Sequence, residues 1–144
     1  MANNSNPFMS QSIVIANSPG KRKGIFAVQK ITKGEYLIRE KPIIRGSGQD
    51  GRLLAKLTAQ LQALPTEQQR GFLELHWPLH PQYPLRSRFY TNAFDVTNKS
   101  DTVSEGGIFL NTARSNHACI PTAYWVWNCH IECLTVHAIT DIPK

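Results

Sequence analysis

The sequence predicts a β-rich α+β fold in which short strands in small sheets flank a helical insert. Three observations predict it. Short apolar runs bounded by turn residues open the chain, leucines recur at helical spacing in the middle, and strand-like apolar runs return after residue 107. Apolar runs punctuated by Gly, Pro, Asn and Ser are typical of strands, whereas apolar residues three and four apart are typical of a helix face.

The first third of the chain predicts strands joined by tight turns. Residues 13–16 and 25–28 are apolar enough for strands, and the Asn17–Gly20 stretch between them has the proline and glycine of a turn. The remaining signals here are a turn at Thr32–Gly34, extended residues 36–38 and 43–44, and Pro42 between these last two.

Leucines mark the helical insert. Their spacing predicts an amphipathic helix of two to three turns that packs into the core and ends at Pro65. The stretch from Thr66 to Gln69 matches a capping box and predicts the start of a second helix through Phe72. Prolines from Pro78 onward end it. The leucines are Leu53, Leu54, Leu57, Leu61 and Leu64.

The last third predicts strands again. Residues 108–110 are apolar, and residues 124–127 and 131–139 predict a hairpin about Asn128–His130. Trp125 and Trp127 would share one face of a strand, where we expect them to pack against the insert rather than line a ligand site.

Composition limits the class of protein. The 144 residues and their 41% hydrophobic content suit one domain with a modest core. We expect no secretory signal and no membrane span, because the early apolar run covers only residues 13–16 and no run approaches the ~20 residues that a span needs. Three cysteines without a Cys-x-x-Cys pair indicate an intracellular protein of the nucleus or cytoplasm.

The net charge of +6 raises the question of nucleic acid. The one basic cluster comprises Lys21, Arg22 and Lys23, with Lys30 and Lys33 following. It contains no interleaved aromatic residues, so a solvated turn is the favoured interpretation, and a basic nucleic-acid-associated domain is the weakest functional alternative.

Residues 116–121, Asn-His-Ala-Cys-Ile-Pro, form the densest group of polar and special residues. Taken alone, they fit a capped turn before a proline as well as a functional site. Other stretches accompany them: Ser-Pro-Gly-Lys-Arg-Lys-Gly-Ile-Phe-Ala at 18–27, Ile-Thr-Lys-Gly-Glu at 31–35, Glu-Lys-Pro at 40–42, Thr-Asn-Ala-Phe at 91–94, Gly-Ile-Phe at 107–109, Arg-Ser before the cluster, and His-Ala-Ile-Thr-Asp-Ile at 137–142.

This set of motifs resembles the SET domain of protein lysine methyltransferases, in particular small fungal SET proteins and the SET halves of the SMYD type. The resemblance implies a single SET domain of the β-clip type over residues 1–144. Its parts would be an N-terminal β part with the cofactor loop at 11–45, the helical insert at 46–90, and a C-terminal β part at 91–144.

The resemblance also implies the chemistry. A SET protein transfers a methyl group from S-adenosylmethionine to a lysine amine of a histone or other protein, and the protein must hold the donor and align the amine. The loop of Lys21, Arg22 and Lys23 would touch the methionine part of the donor. The Asn116 side chain would bind there too, while the His117 backbone would bond the adenine.

The family pattern continues with Gly-Glu-Glu and a catalytic tyrosine, which we expect beyond Lys144. The chain is therefore expected to be a SET fragment with an incomplete pseudoknot, no catalytic residue of its own and no activity alone. A catalytically silent binding or scaffold module is the alternative. Cys119 would be a zinc ligand only in a longer chain. Cys133 and His137 lie ~13 Å apart on one strand, too far for one zinc ion.

Overall fold

The chain folds into two compact units, one of residues 1–41 and 114–144 and the other of residues 42–113. A computed structural model describes residues 6–20, 22–77, 82–115 and 121–144. The β-rich α+β class predicted from the sequence is confirmed, because short strands in small sheets flank three consecutive helices in these residues. None of the helices in the described part of the chain has the length and apolar content that crossing a bilayer requires.

The elements of the described residues follow one another in this chain order: strands β1 (Phe8–Met9), β2 (Ile13–Asn17), β3 (Lys23–Ala27), β4 (Tyr36–Glu40) and β5 (Ile44–Gly46), helices α1 (Leu53–Ala63), α2 (Thr66–Leu73) and α3 (Pro84–Asn92), strands β6 (Phe94–Asp95) and β7 (Gly106–Ile108), a single-turn 3₁₀ helix (Thr112–Arg114), and strands β8 (Ala123–Asn128) and β9 (Cys133–Ala138).

The first unit contains a four-stranded antiparallel sheet in the order β1-β4-β9-β8. A register shift between Tyr36 and Ile38 in β4 places Leu37 as well as Ile38 in the core. The hairpin of β2 and β3 contributes Ile13 to the same core. Alternation of side chains along each strand leaves the opposite face of the sheet for other contacts.

The second unit packs its helices around a three-stranded antiparallel sheet in the order β5-β7-β6. Leu53 and Leu57 of α1 are buried with Ile44 and Ile108, which confirms the predicted core role of the leucine repeat. Leu54 is the exception at 49% exposure, because it lies off the buried face of the helix.

The start of α2 corrects the predicted capping box. Thr66 is already helical, and the residue before it, Pro65, is the N-cap and offers no side-chain hydrogen bond. The Gln69 amide instead donates to the carbonyl of Leu64 at 2.7 Å. The Gln69 side chain thus connects α2 to the end of α1 by a hydrogen bond. The four-residue capping-box pattern does not predict this bond.

Two further elements depart from the sequence prediction. Helix α3 begins at Pro84, which the prediction treated only as a helix breaker; proline at the first helical position has its φ already set and needs no amide donor. Strand β9 begins at Cys133 rather than Ile131, because Glu132 adopts a positive φ of 50° and completes the hairpin loop. The short strand β1 was not predicted.

Candidate functional site

The predicted donor-binding positions divide between described and undescribed residues. Lys21, Asn116 and His117 lie outside the described residues, as does Cys119. Arg22 and Lys23 are described, and both are exposed where the loop between β2 and β3 leads into β3. The structural account of the site therefore rests on this loop and on the segments around it.

A tight turn shapes the loop between β2 and β3. The backbone N–H of Ser18 donates to the carbonyl of Arg22 at 2.9 Å and closes the turn. Gly20 has a φ of 69°, in the left-handed region that glycine adopts without strain. The turn predicted at Asn17–Gly20 is confirmed, and it presents the adjoining basic side chains at the end of a hairpin.

The Asn-His-Ala-Cys segment is bounded by elements that the structure describes. The 3₁₀ helix Thr112–Arg114 precedes it, and β8 follows it after Thr122. The Thr122 carbonyl accepts a hydrogen bond from the Ile139 N–H at 2.9 Å. The backbone on the C-terminal side of the segment is thus joined to the residues that follow β9.

The turn after Ile31 is bonded to the last residues of the chain. Ile31 and Ile142 exchange two backbone hydrogen bonds of 2.9 Å, and the Lys33 N–H donates to a carboxylate oxygen of Asp141 at 2.8 Å. These pairs join two of the motifs quoted above, Ile-Thr-Lys-Gly-Glu and His-Ala-Ile-Thr-Asp-Ile. We call this set of bonds the terminal clasp.

Backbone bonds extend the terminal clasp into the sheet. Gly34 donates its N–H to the Ala138 carbonyl at 2.8 Å, and Ala138 donates its N–H to the Glu35 carbonyl at 3.0 Å. Gly34 has a φ of 88°, so the turn needs a residue that tolerates the left-handed region. The clasp therefore positions the end of β9 directly against the start of β4.

The carboxylate of Glu35 organises the other side of this turn. It accepts from the Ser12 hydroxyl at 2.9 Å and from the Thr32 N–H at 3.3 Å. The amide of Gln29 donates to the Ser12 oxygen at 2.8 Å. Ser12 is buried, and this network satisfies it, in keeping with the described residues as a whole, where every buried side-chain nitrogen and oxygen has a partner.

The described cysteines do not form a metal centre. Cys129 is exposed in the hairpin loop and Cys133 is buried in β9. Burial raises the pKa of the Cys133 thiol, while the nearby cations Lys41 and Arg39 act in the opposite direction. No group of three or more potential metal-binding side chains occurs within residues 6–20, 22–77, 82–115 and 121–144.

A polar cleft of about 790 Å³ lies in the second unit. Two ion pairs line it: Arg45 Nε lies 2.7 Å from Glu105 Oε1, and Lys56 contacts Asp50. The bond from Lys56 is the largest cause that lowers the pKa of Asp50. The charges of the cleft are thus largely paired with one another.

The profile of the SET domain matches residues 22–144. The chain belongs to the SET domain family. The match includes Arg22, Lys23, Asn116 and His117, and it begins one residue after Lys21. The resemblance to the SET domain that the sequence motifs indicated is therefore confirmed.

A curated relative and a solved structure illustrate what this chain is similar to. The chain is 30% identical over 139 residues to Histone-lysine N-methyltransferase set5 of Schizosaccharomyces pombe, which covers 95% of this chain and 40% of the relative. The chain thus spans less than half of that relative's length. The crystal structure of a provisionally assigned histone methyltransferase of Plasmodium falciparum superposes with a TM-score of 0.52 at 15% identity, covering 94% of this chain and 88% of that one, which supports the SET fold.

Sequence reasoning missed the side-chain contacts that build this part of the SET domain. Asp141 was quoted only as part of a motif, and Ser12 was not singled out at all. No local signal existed for Asp141, because its partner Lys33 lies 108 residues away. The same holds for Ser12, since its partner Glu35 lies 23 residues away.

Proposed function

We propose that this chain is the SET domain of a protein lysine N-methyltransferase that uses S-adenosylmethionine and acts on a histone or another protein. The observation that carries the proposal is the family match over residues 22–144, supported by the identity to a relative named as a histone-lysine methyltransferase. A protein substrate of this kind places its action in the nucleus or cytoplasm. We further propose that residues 1–144 form one SET domain with a helical insert at 46–90.

The proposed donor site comprises Lys21, Arg22, Lys23, Asn116 and His117. S-adenosylmethionine supplies a methyl group on a sulfonium and also carries a carboxylate. The exposed Arg22 and Lys23 at the end of the β2–β3 hairpin suit that carboxylate, because charged donors make the strongest hydrogen bonds to carboxylates. The Asn116 amide would hold the methionine part, and the backbone of His117 the adenine.

The donor site is tested by calorimetry with S-adenosylmethionine on the 144-residue chain. We expect Asn116→Ala to weaken the affinity about three- to tenfold, the usual effect of losing one or two hydrogen bonds. Asn98→Ala is the matched control, because Asn98 lies in the second unit and should leave the affinity unchanged. Equal affinities of the wild-type chain and Asn116→Ala would refute the site.

A catalytically silent SET module is the second candidate. This candidate requires the same donor-binding residues but no catalytic tyrosine. Tritium transfer from labelled donor to core histones separates the candidates when it is measured on a version of this chain extended by the family's Gly-Glu-Glu and tyrosine segment. Transfer establishes the enzyme, whereas donor binding without transfer favours the silent module.

Cys119 is proposed as a zinc ligand in a longer chain only.

A further inference from the structure

Three rings form a row across neighbouring strands of the four-stranded sheet. Tyr36 in β4 and Tyr124 in β8 both pair with His137 in β9. Each tyrosine ring centroid lies 6.5 Å from the imidazole centroid. Tyr36 is 53% exposed and Tyr124 56%, whereas the core residue Ile38 is 1% exposed. The row therefore lies on the face of the sheet that points away from the core.

The next row on this face adds a cation and two apolar side chains. Arg39 pairs with Phe8 on one side and with Thr135 on the other, and Thr135 pairs with Val126. The Arg39 guanidinium lies 6.0 Å from the Phe8 ring centroid. Phe8 and Val126 are each 42% exposed. We call the surface formed by Tyr36, His137, Tyr124, Arg39, Phe8 and Val126 the outer sheet face.

Positive charge is concentrated in the unit that carries this face. Residues 1–41 and 114–144 contain nine Lys and Arg and four Asp and Glu, a net charge of +5. Residues 42–113 contain seven Lys and Arg and six Asp and Glu, a net charge of +1. Arg39 belongs to the outer sheet face, the basic residue Lys41 directly follows β4, and the acidic residue Glu132 directly precedes β9. A polyanion is the partner that this charge distribution attracts.

We propose that the outer sheet face binds single-stranded nucleic acid, with bases stacked on Tyr36 and Tyr124 and the phosphate backbone near Arg39 and Lys41. Open antiparallel sheets with exposed aromatic side chains bind unpaired bases in this way, because every base has a π face. Neighbouring strands are ~4.8 Å apart, so the two tyrosines lie about 10 Å from each other and serve separate bases. The bases of a duplex are stacked inside the helix, so they cannot stack on these tyrosines.

This function goes beyond methyl transfer and does not depend on it. The basic turn of Lys21–Lys23 was disfavoured for nucleic acid because it has no interleaved aromatic residues. The fold supplies aromatic residues elsewhere in the same unit, from strands that are far apart in sequence. The proposal therefore rests on a juxtaposition of β4, β8 and β9 that the sequence does not display.

The test is fluorescence anisotropy on the full 144-residue chain with labelled homopolymers of about twelve nucleotides, oligo-dT and oligo-rU, and a duplex of the same length. We expect both single strands to bind better than the duplex, and the affinity to fall between about 50 and about 200 mM salt. Tyr36→Ala and Tyr124→Ala should each weaken binding about five- to a hundredfold, and Tyr124→Phe should not. Tighter binding of oligo-rU or of oligo-dT identifies RNA or DNA, respectively, as the natural ligand.

Tyr90→Ala is the matched control, because Tyr90 is 52% exposed but belongs to α3 of the second unit. Thermal melts of every variant establish that the fold is retained. Absence of binding at ~100 µM protein, the weak end of ordinary non-specific affinity, would overturn the proposal. Equal affinity for the single strands and the duplex would also overturn the proposal. Undiminished binding by Tyr124→Leu would overturn it too, and would indicate an apolar docking surface for a protein. Donor binding by calorimetry stays unchanged in Tyr124→Ala, which keeps this test separate from that of the proposed enzyme.

Discussion

Asp141 accepts a hydrogen bond from the backbone N–H of Lys33, 108 positions earlier in the chain, at 2.8 Å. This bond lies beside the two backbone bonds that join Ile31 and Ile142. Together they fix the residues after β9 against the turn before β4. In the proposed enzyme, the chain after β9 therefore has a defined direction as it leaves the sheet.

The first prediction concerns this bond. Asp141→Ala removes the acceptor of the Lys33 amide, and we expect the free energy of unfolding to fall by about 1 kcal/mol. Asp141→Asn keeps an acceptor oxygen at the same place and should lose less. Urea unfolding of the three chains measures the difference. An Asp141→Ala chain as stable as the wild type would contradict the contribution of the terminal clasp.

The second prediction concerns the backbone of the same turn. Gly34 has a φ of 88°, and no heavy atom lies within 4 Å of the position that a Cβ would take. The effect of Gly34→Ala is thus purely conformational, and we expect it to lower the free energy of unfolding by about 1–2 kcal/mol. Thermal or urea unfolding provides the measurement.

Gly51→Ala is the matched control for Gly34→Ala. The Cβ position of Gly51 is equally open, but its φ lies outside the left-handed region. Alanine there should be neutral or should stabilise the chain by up to about 1 kcal/mol, because it restricts the unfolded state. If both substitutions had the same effect, the positive φ of Gly34 would not be the cause.

Local patterns were sufficient to predict most of the fold. The leucine spacing located α1, and the Pro-Gly pair located the turn between β2 and β3, because both signals depend on neighbours in sequence. They failed at Pro84, where proline has two opposite uses: it ends a helix that is under way and suits the first position of a new one. The sequence pattern gave no reason to choose the second.

The candidate site was less accessible to sequence reasoning. Motif resemblance could name Arg22 and Lys23, because those positions are recognised by their place in a string of residues. The contact of Glu35 with Ser12 and the row of Tyr36, His137 and Tyr124 depend on strand pairing, and a shift of register by one residue would separate the partners. Only the fold determines that register.

The third prediction is a pH dependence. Hydrogen bonds from the Lys56 ammonium and the Arg52 amide lower the pKa of Asp50 below its ordinary value of 3.8. A carboxyl whose pKa is lowered on folding contributes stability that is present above the ordinary pKa and is lost as the pH falls through the folded pKa. Asp50→Asn should therefore reduce the stability near neutral pH and make no difference well below pH 3.8.

Urea unfolding of the wild-type chain and Asp50→Asn across this pH range measures the effect. In a Lys56→Met background, Asp50→Asn should have a smaller effect, because the principal partner of the carboxylate is already gone. Added salt should also reduce the difference, since the pair lies near the surface. A difference that persisted unchanged at low pH would show that the charge of Asp50 is not its source.

The fourth prediction concerns the two described cysteines. Cys133 has no exposed surface, and burial raises the pKa of its thiol, whereas Cys129 lies exposed in the hairpin loop. The thiolate is the nucleophile that attacks an alkylating reagent, so Cys133 in the native chain should react at least roughly tenfold more slowly than Cys129. Cleavage after Glu132 separates the two residues for mass spectrometry. In denaturing urea the two rates should converge, and rapid native modification of Cys133 would contradict its placement in the sheet.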